Sequence, residues 1–186
     1  MVKYNINNDI DFVMIPEEKL DSIVQRIADD IDRDYPDPHK KLLLLGILKG
    51  SVVFMGDLMK KIKRPVEIDF MKVSSYGSGT ASTKTVNIIL DLHRADIADL
   101  DILIIEDIID SGRTMLYLTK YLKNKGAASV RCAALLDKPS RREVDYNADY
   151  VGCEIEDKFV VGYGLDFAEK YRALPYVGVL KDELTK

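Results

Sequence analysis

The chain lacks a basic excess. Its formal charge is −4 at neutral pH, against the positive balance that general nucleic-acid binders usually carry. It also lacks any apolar run long enough to cross a bilayer, the longest being strand-sized. The residues after Met1 carry no apolar signal-peptide core, so the expected setting is cytoplasmic, with no membrane and no nucleic-acid partner. Lys181-Asp182-Glu183-Leu184 spells a retention signal, but Thr185 and Lys186 follow it, and the expectation is coincidence. Cysteine is scarce. Cys132 and Cys153 lie among small or apolar neighbours, which excludes a disulfide framework and predicts reduced core thiols. Histidine is equally scarce: His39 and His93 have no partners in sequence and read as loop residues. No repeat and no linker divides the chain, and 186 residues with 47% apolar content suffice for one real core. The expectation is one domain over 1–186.

What is present is alternation. Pro16 and the acids Glu17 and Glu18 open a helix whose stripe is Leu20, Ile23, Val24, Ile27 and Ile31, stopped by Pro36-Asp37-Pro38. Residues 42–48 are continuously apolar, as in a strand buried on both faces. Lys49-Gly50-Ser51 follows, then a second helix from Val52 to Ile62. The cations Lys60, Lys61, Lys63 and Arg64 close it, as a helix C-terminus favours. Strands are predicted from Pro65 to Met71, over 86–90, 102–105 and 129–136, with shorter pieces at 150–151, 159–161 and 176–180. Between two of them, residues 74–84 form a polar, glycine-spaced loop expected to be mobile. A third helix carries Met115, Leu118, Tyr121 and Leu122 and ends at Gly126. Strands alternating with helices predict an α/β fold with a mostly parallel twisted sheet flanked by helices. Ligands of such sheets bind beyond the carboxyl ends of the strands, where Lys49, the 106–114 segment and the 137–142 segment would converge.

The central stretch is Asp101 to Thr114. Four apolar residues run into Glu106 and Asp107; two isoleucines, Asp110 and a Ser-Gly-Arg-Thr loop follow, where a helix begins. Free N–H groups at a helix start favour a phosphate, with Ser111 and Thr114 adding hydroxyls and Gly112 allowing close approach. The Walker and dinucleotide glycine spacings are both absent. An isolated motif of this kind is equally an ordinary N-cap. Two adjacent carboxylates change the balance, because they repel each other and need partners. A sugar diol or a divalent cation would serve.

Ile104-Ile105-Glu106-Asp107-Ile108-Ile109-Asp110-Ser111-Gly112-Arg113-Thr114-Met115 closely resembles the phosphoribosyl-diphosphate motif of the hypoxanthine (hypoxanthine-guanine) phosphoribosyltransferases. Gly46-Ile47-Leu48-Lys49-Gly50-Ser51 resembles their diphosphate loop, and Ser75-Tyr76 the head of their flexible loop. Leu135-Leu136-Asp137-Lys138 and Asp157-Lys158-Phe159-Val160-Val161-Gly162-Tyr163-Gly164-Leu165-Asp166 resemble their base-binding segments. Ser111 and Arg113 stand where vertebrate members have threonine and lysine, as in bacterial members.

The resemblance implies the type I phosphoribosyltransferase fold: a core over about 15–150, and a small hood from the N-terminal segment and about 151–186. It implies transfer of phosphoribose from 5-phosphoribosyl 1-diphosphate to hypoxanthine or guanine with Mg2+, by a homodimer or homotetramer. Asp110 would be the general base. Glu106 and Asp107 would hold ribose and metal, and Ser111, Gly112, Arg113 and Thr114 the 5′-phosphate. Lys49, Gly50, Ser75, Tyr76 and Arg172 would take the diphosphate, and the Leu48–Lys49 peptide would be cis. Lys138, Phe159 and Val160 would bind the purine, and Asp166 would reach a metal. Arg142 is a weaker candidate for support. An RNA-binding regulator on the same fold would need the basic run 60–64, and a pyrimidine or adenine transferase conflicts with Lys138.

Overall fold

The computed structural model describes residues 6–76 and 85–184. Strands β1 (Ile10–Ile15), β2 (Lys41–Ile47), β3 (Glu67–Tyr76), β4 (Thr85–Leu90), β5 (Leu100–Ile109), β6 (Ser129–Asp137), β7 (Tyr150–Glu154), β8 (Val160–Val161) and β9 (Val177–Leu180) form two sheets. Helices α1 (Glu17–Asp34), α2 (Val52–Lys61) and α3 (Arg113–Asn124) pack on the larger one.

That sheet has six strands in the order β4-β3-β2-β5-β6-β7. β3, β2, β5, β6 and β7 are mutually parallel, and β4 joins the edge antiparallel to β3. The central strands are apolar on both faces because helices cover both. Leu42, Leu44, Leu103, Ile105, Ala133 and Leu135 face α1 and α2, where Ile23, Ile27, Phe54 and Leu58 are buried. The alternate set, Leu43, Leu45, Ile102, Ile104, Cys132 and Ala134, faces Met115, Leu118 and Leu122 of α3. Period-two alternation thus splits each strand between two cores, as parallel crossover topology requires.

The smaller sheet is antiparallel, in the order β1-β9-β8. Val160, Val177 and Val179 join the core shared with α1 and α2, while Val161 and Leu180 close a small third cluster with Tyr171 and Leu174. Tyr163 donates its hydroxyl to Asp57 of α2 at 2.6 Å, fastening this sheet to the larger body.

Several elements differ from the sequence expectation. β5 runs through Ile109, beyond the expected 102–105, so Glu106 and Asp107 are themselves strand residues. Their low strand propensity is overridden by pairing: β6 continues alongside to Ile109↔Asp137. Ser74, Ser75 and Tyr76 belong to β3, in register with Asn87, Val86 and Thr85 of β4, and not to the loop. The remainder of that expected loop, 77–84, lies outside the described residues. β1 was not foreseen, because its exposed Phe12 and Val13 blur the alternation. β7 pairs with β6 in the large sheet, so the small sheet begins beyond it.

Leu44 is fully buried in the central strand β2. Leu44→Ala is expected to lower unfolding stability by about 2–5 kcal/mol in urea titrations; a loss below ~1 kcal/mol would show that this layer is not tightly packed.

Candidate active site

The carboxyl ends of β2, β5 and β6 form a stepped edge. In the paired registers Gly46 lies opposite Ile105, while β5 and β6 run on together to Ile109 and Asp137. The recess beside this step is a cavity of about 230 Å³. Glu106, Asp110, Ser111, Gly112 and Thr114 are among the residues that line it. α3 begins at Arg113, and the first-turn N–H groups of a helix are the ones without intrahelical partners. Gly112 precedes it at φ 77, the left-handed region that glycine tolerates best.

The two adjacent acids at the end of β5 are partly buried, Glu106 toward the recess and Asp107 toward the loop after β2. Oε2 of Glu106 is buried with no hydrogen-bond partner among the described residues. Burial, then the charge of Asp107, holds the Glu106 carboxyl well above the usual carboxylate range. Asp107 is pushed up to about 6 by burial, although its Oδ1 accepts the Ile108 N–H at 2.8 Å. Gly50 leaves room for this carboxylate: a Cβ on it would lie 1.4 Å from Oδ2 of Asp107 as it stands.

Lys138 follows β6 and is buried. Its Nζ lies 3.7 Å from Oδ1 of Asp110 and 3.8 Å from Oδ1 of Asp157. The Asp110 loop is held from the same side. Arg142 donates to the Asp110 carbonyl and to the buried carboxylate of Asp137. Arg142, read from sequence only as a weak candidate, therefore fixes the backbone that presents Asp110.

A third group gathers around the β2–α2 loop. The Leu48–Lys49 peptide is cis. Lys49 reaches Glu169 at 2.9 Å. Arg172 contacts Asp166 at 2.8 Å and Glu169 at 3.2 Å, and donates to the Gly164 carbonyl at 2.8 Å. The positive charge of Arg172 opposes the rise in the Asp107 pKa.

Other expected residues are less convergent. The Arg113 side chain pairs with Glu143 at 2.5 Å rather than turning into the cavity. Phe159 is 46% exposed and meets Phe167 edge-on, so it is not a core residue. Val160 is buried opposite Val179 in β8. Ser75 and Tyr76 end β3 on the same sheet edge. Glu106, Asp107 and Asp166 do not close into a metal cage: among the described residues no three candidate ligands do so. Sequence reasoning missed Asp137, Asp157 and Glu169; the first two lie within motif strings, whereas Glu169 carries no motif signal.

A larger cavity, of about 680 Å³, opens between the start of α1 and the end of α2. Its charged groups already pair among themselves, as in Lys60–Asp57 and Lys61–Asp21, and none of the strand-end groups reaches it. The acids and small residues singled out from the sequence gather at the smaller recess. The rest of the basic run is also engaged: Lys63 pairs with Asp29, and Arg64 donates to the Tyr35 and Lys40 carbonyls. Cys132 is buried, which pushes its thiol far up and leaves it inert. No helix among the described residues is long and apolar enough to cross a membrane.

The chain belongs to the phosphoribosyltransferases: the phosphoribosyl transferase domain family matches residues 16–168, which span the parallel sheet, the helix-start cavity and the paired acids. Among its relatives is the hypoxanthine-guanine phosphoribosyltransferase of Bacillus subtilis, 49% identical over 95% of this chain and 96% of that protein. A crystal structure of a hypoxanthine phosphoribosyltransferase from Staphylococcus aureus superposes with a TM-score of 0.92 at 45% identity, covering all of both chains. The bifunctional protein TilS/HprT of Listeria monocytogenes is 47% identical over 97% of this chain, which spans only 27% of that protein's length.

The desolvated acids make stability pH-dependent. Protonated Asp107 suits its site, so its contribution is complete below its ordinary pKa of 3.8 and is lost as pH rises through about 6. Asp107→Asn is expected to stabilise the fold at pH 7 by roughly 1–3 kcal/mol, one pKa unit being worth about 1.4 kcal/mol, with the gain vanishing near pH 4. Denaturant titrations across that range check it; a variant less stable than wild type at pH 7 would reverse the sign of the account.

Proposed function

We propose that this protein transfers the phosphoribosyl group of 5-phosphoribosyl 1-diphosphate to hypoxanthine, and to guanine, releasing diphosphate. The reaction is a Mg2+-dependent step of purine salvage in the cytoplasm, carried out by a homodimer or homotetramer. The observation that carries the reading is the adjacency of Asp110 and buried Lys138, at 3.7 Å, beside a helix-start cavity. A proton acceptor and a hydrogen-bond donor at that spacing can address two sites on one 6-oxopurine. The relatives named above support the same class of reaction.

In this reading Asp110 accepts the proton at N7 of the purine as the sugar carbon bonds to the base. Lys138 donates to the exocyclic oxygen at position 6, which favours oxo over amino purines. The ammonium is already desolvated between two carboxylates, so little rearrangement is needed when the oxygen arrives. Phe159 presents an exposed ring for stacking, and Val160 offers backbone groups beside it.

Ser111, Gly112, Arg113 and Thr114 hold the 5′-phosphate at the start of α3. Lys49, Gly50, Ser75, Tyr76 and Arg172 receive the diphosphate, where positive charge stabilises the leaving group. Glu106 and Asp107 take the ribose hydroxyls. The partnerless Oε2 of Glu106 and the raised Asp107 carboxyl fit a cation as well as a diol. Magnesium characteristically takes one or two carboxylates and completes its shell with substrate phosphate and water, so a protein-only cage is not needed. Glu106, Asp107 and Asp166 would hold it, directly or through water. When bound, the metal neutralises charge on the diphosphate.

A panel of bases tests the reading. With 5-phosphoribosyl 1-diphosphate and Mg2+, hypoxanthine and guanine should be converted to their nucleotides, and adenine and pyrimidines should not. No product from either 6-oxopurine would overturn it.

Asp110→Asn keeps the side-chain size and removes the proton acceptor. Turnover should fall by about 10²-fold or more while nucleotide product still binds. Unchanged turnover would remove Asp110 from the role.

A further inference from the structure

Glu169 is exposed, yet its carboxylate is shared between the two cations assigned above to the diphosphate. One oxygen takes Lys49 at 2.9 Å, and the other takes Arg172 at 3.2 Å. These cations come from distant parts of the chain, one from the loop after β2 and one from the segment before β9. A carboxylate that bridges them does what two oxygens of a phosphate would do.

The backbone is built to deliver it. Ala168 and Glu169 have φ of 50 and 64, the left-handed region that non-glycine residues seldom occupy. The turn is fastened by the Glu169 N–H to Asp166 Oδ2 at 2.9 Å and by the reciprocal backbone pair of Phe167 and Lys170. Two successive left-handed residues turn the chain back, so that Glu169 reaches the β2–α2 loop. The Lys49 hydrogen bond, followed by that of Arg172, also holds the Glu169 carboxyl below the usual carboxylate range, so it is anionic at neutral pH. Arg172 does not depend on Glu169 for its orientation, because Asp166 and the Gly164 carbonyl also hold its guanidinium.

We propose that Glu169 is a built-in competitor of the diphosphate. Its carboxylate and the diphosphate oxygens seek the same two cations, so each displaces the other. Glu169 keeps Lys49 and Arg172 together and lowers the affinity of the leaving-group site, which favours diphosphate release after transfer. It is a positioning residue that touches neither the sugar nor the purine. The proposal rests on the functional reading above, through the assignment of Lys49 and Arg172.

Glu169→Gln tests it, because the amide keeps the shape and loses the charge at an exposed position. Calorimetric titration with inorganic diphosphate and Mg2+ should show binding about three- to tenfold tighter than wild type, the span of one or two exposed ion pairs. Diphosphate should become a stronger product inhibitor by a similar factor, and the difference should shrink as salt is raised. Binding in Glu169→Gln that equals wild type, or is weaker, overturns the proposal and leaves the functional reading standing. Wild-type protein that binds no diphosphate at millimolar concentration overturns both.

Discussion

Two adjacent acids drawn partly out of solvent at the end of β5 are the constraint around which the remainder of the molecule is arranged. Glu106 and Asp107 stand directly behind four buried aliphatic residues, in a strand covered by helices on both faces. Burial favours their neutral forms, and an isolated buried charge is among the most costly features a fold can carry. The surroundings offset part of that cost. The Ile108 N–H bonds Asp107, the positive charge of Arg172 acts on it, and the loop after β2 leaves it room at Gly50. Glu106 has no such compensation at Oε2 among the described residues. A site that keeps an acid oxygen buried and partnerless is prepared for a ligand that brings donors or positive charge.

The site proposed above is divided between two sheets. The six-stranded sheet presents the recess, Asp110 and Lys138. Phe159 and Val160 lie at the small sheet, and Arg172 lies in the segment leading back to it. The joint between them is close. Tyr163 bonds Asp57 of α2, and the chain passes the β2–α2 loop at Gly164, where a Cβ would come within 2.1 Å of the Gly50 carbonyl. The spacing between Phe159 and the start of α3 is therefore set by backbone packing rather than by long side chains.

Much of this was legible in the chain. The parallel core follows from uninterrupted apolar strands spaced by helical stripes, and the recess from acids and small residues at a helix start. Those are local signals, carried by neighbours in sequence. Three matters were not local. The extent of β5 depends on β6 running beside it, which overrides the poor strand propensity of Glu106 and Asp107. The service of Arg142 to Asp110 depends on a loop folding back across the strand ends. Glu169 meets Lys49 only through the tertiary fold, and neither residue carries a composition signal that would pair it with the other. Phe159, ambiguous between core and ligand face, was decided by exposure, which no pattern of three or four residues encodes.

The contact between Gly50 and Asp107 has a consequence for how this chain can vary. The carboxylate of Asp107 fills the volume that any side chain at position 50 would need, and the carbonyl of Gly50 fills the volume that one at position 164 would need. Three positions far apart in sequence are thereby locked into one steric unit. A side chain at 50 requires the Asp107 carboxylate to swing aside or shrink, and position 164 is held to glycine by both the Gly50 carbonyl and its own φ of 102. Substitution at 50 is thereby coupled to the size or conformation of residue 107, whereas the exposed face of α1 can change one residue at a time.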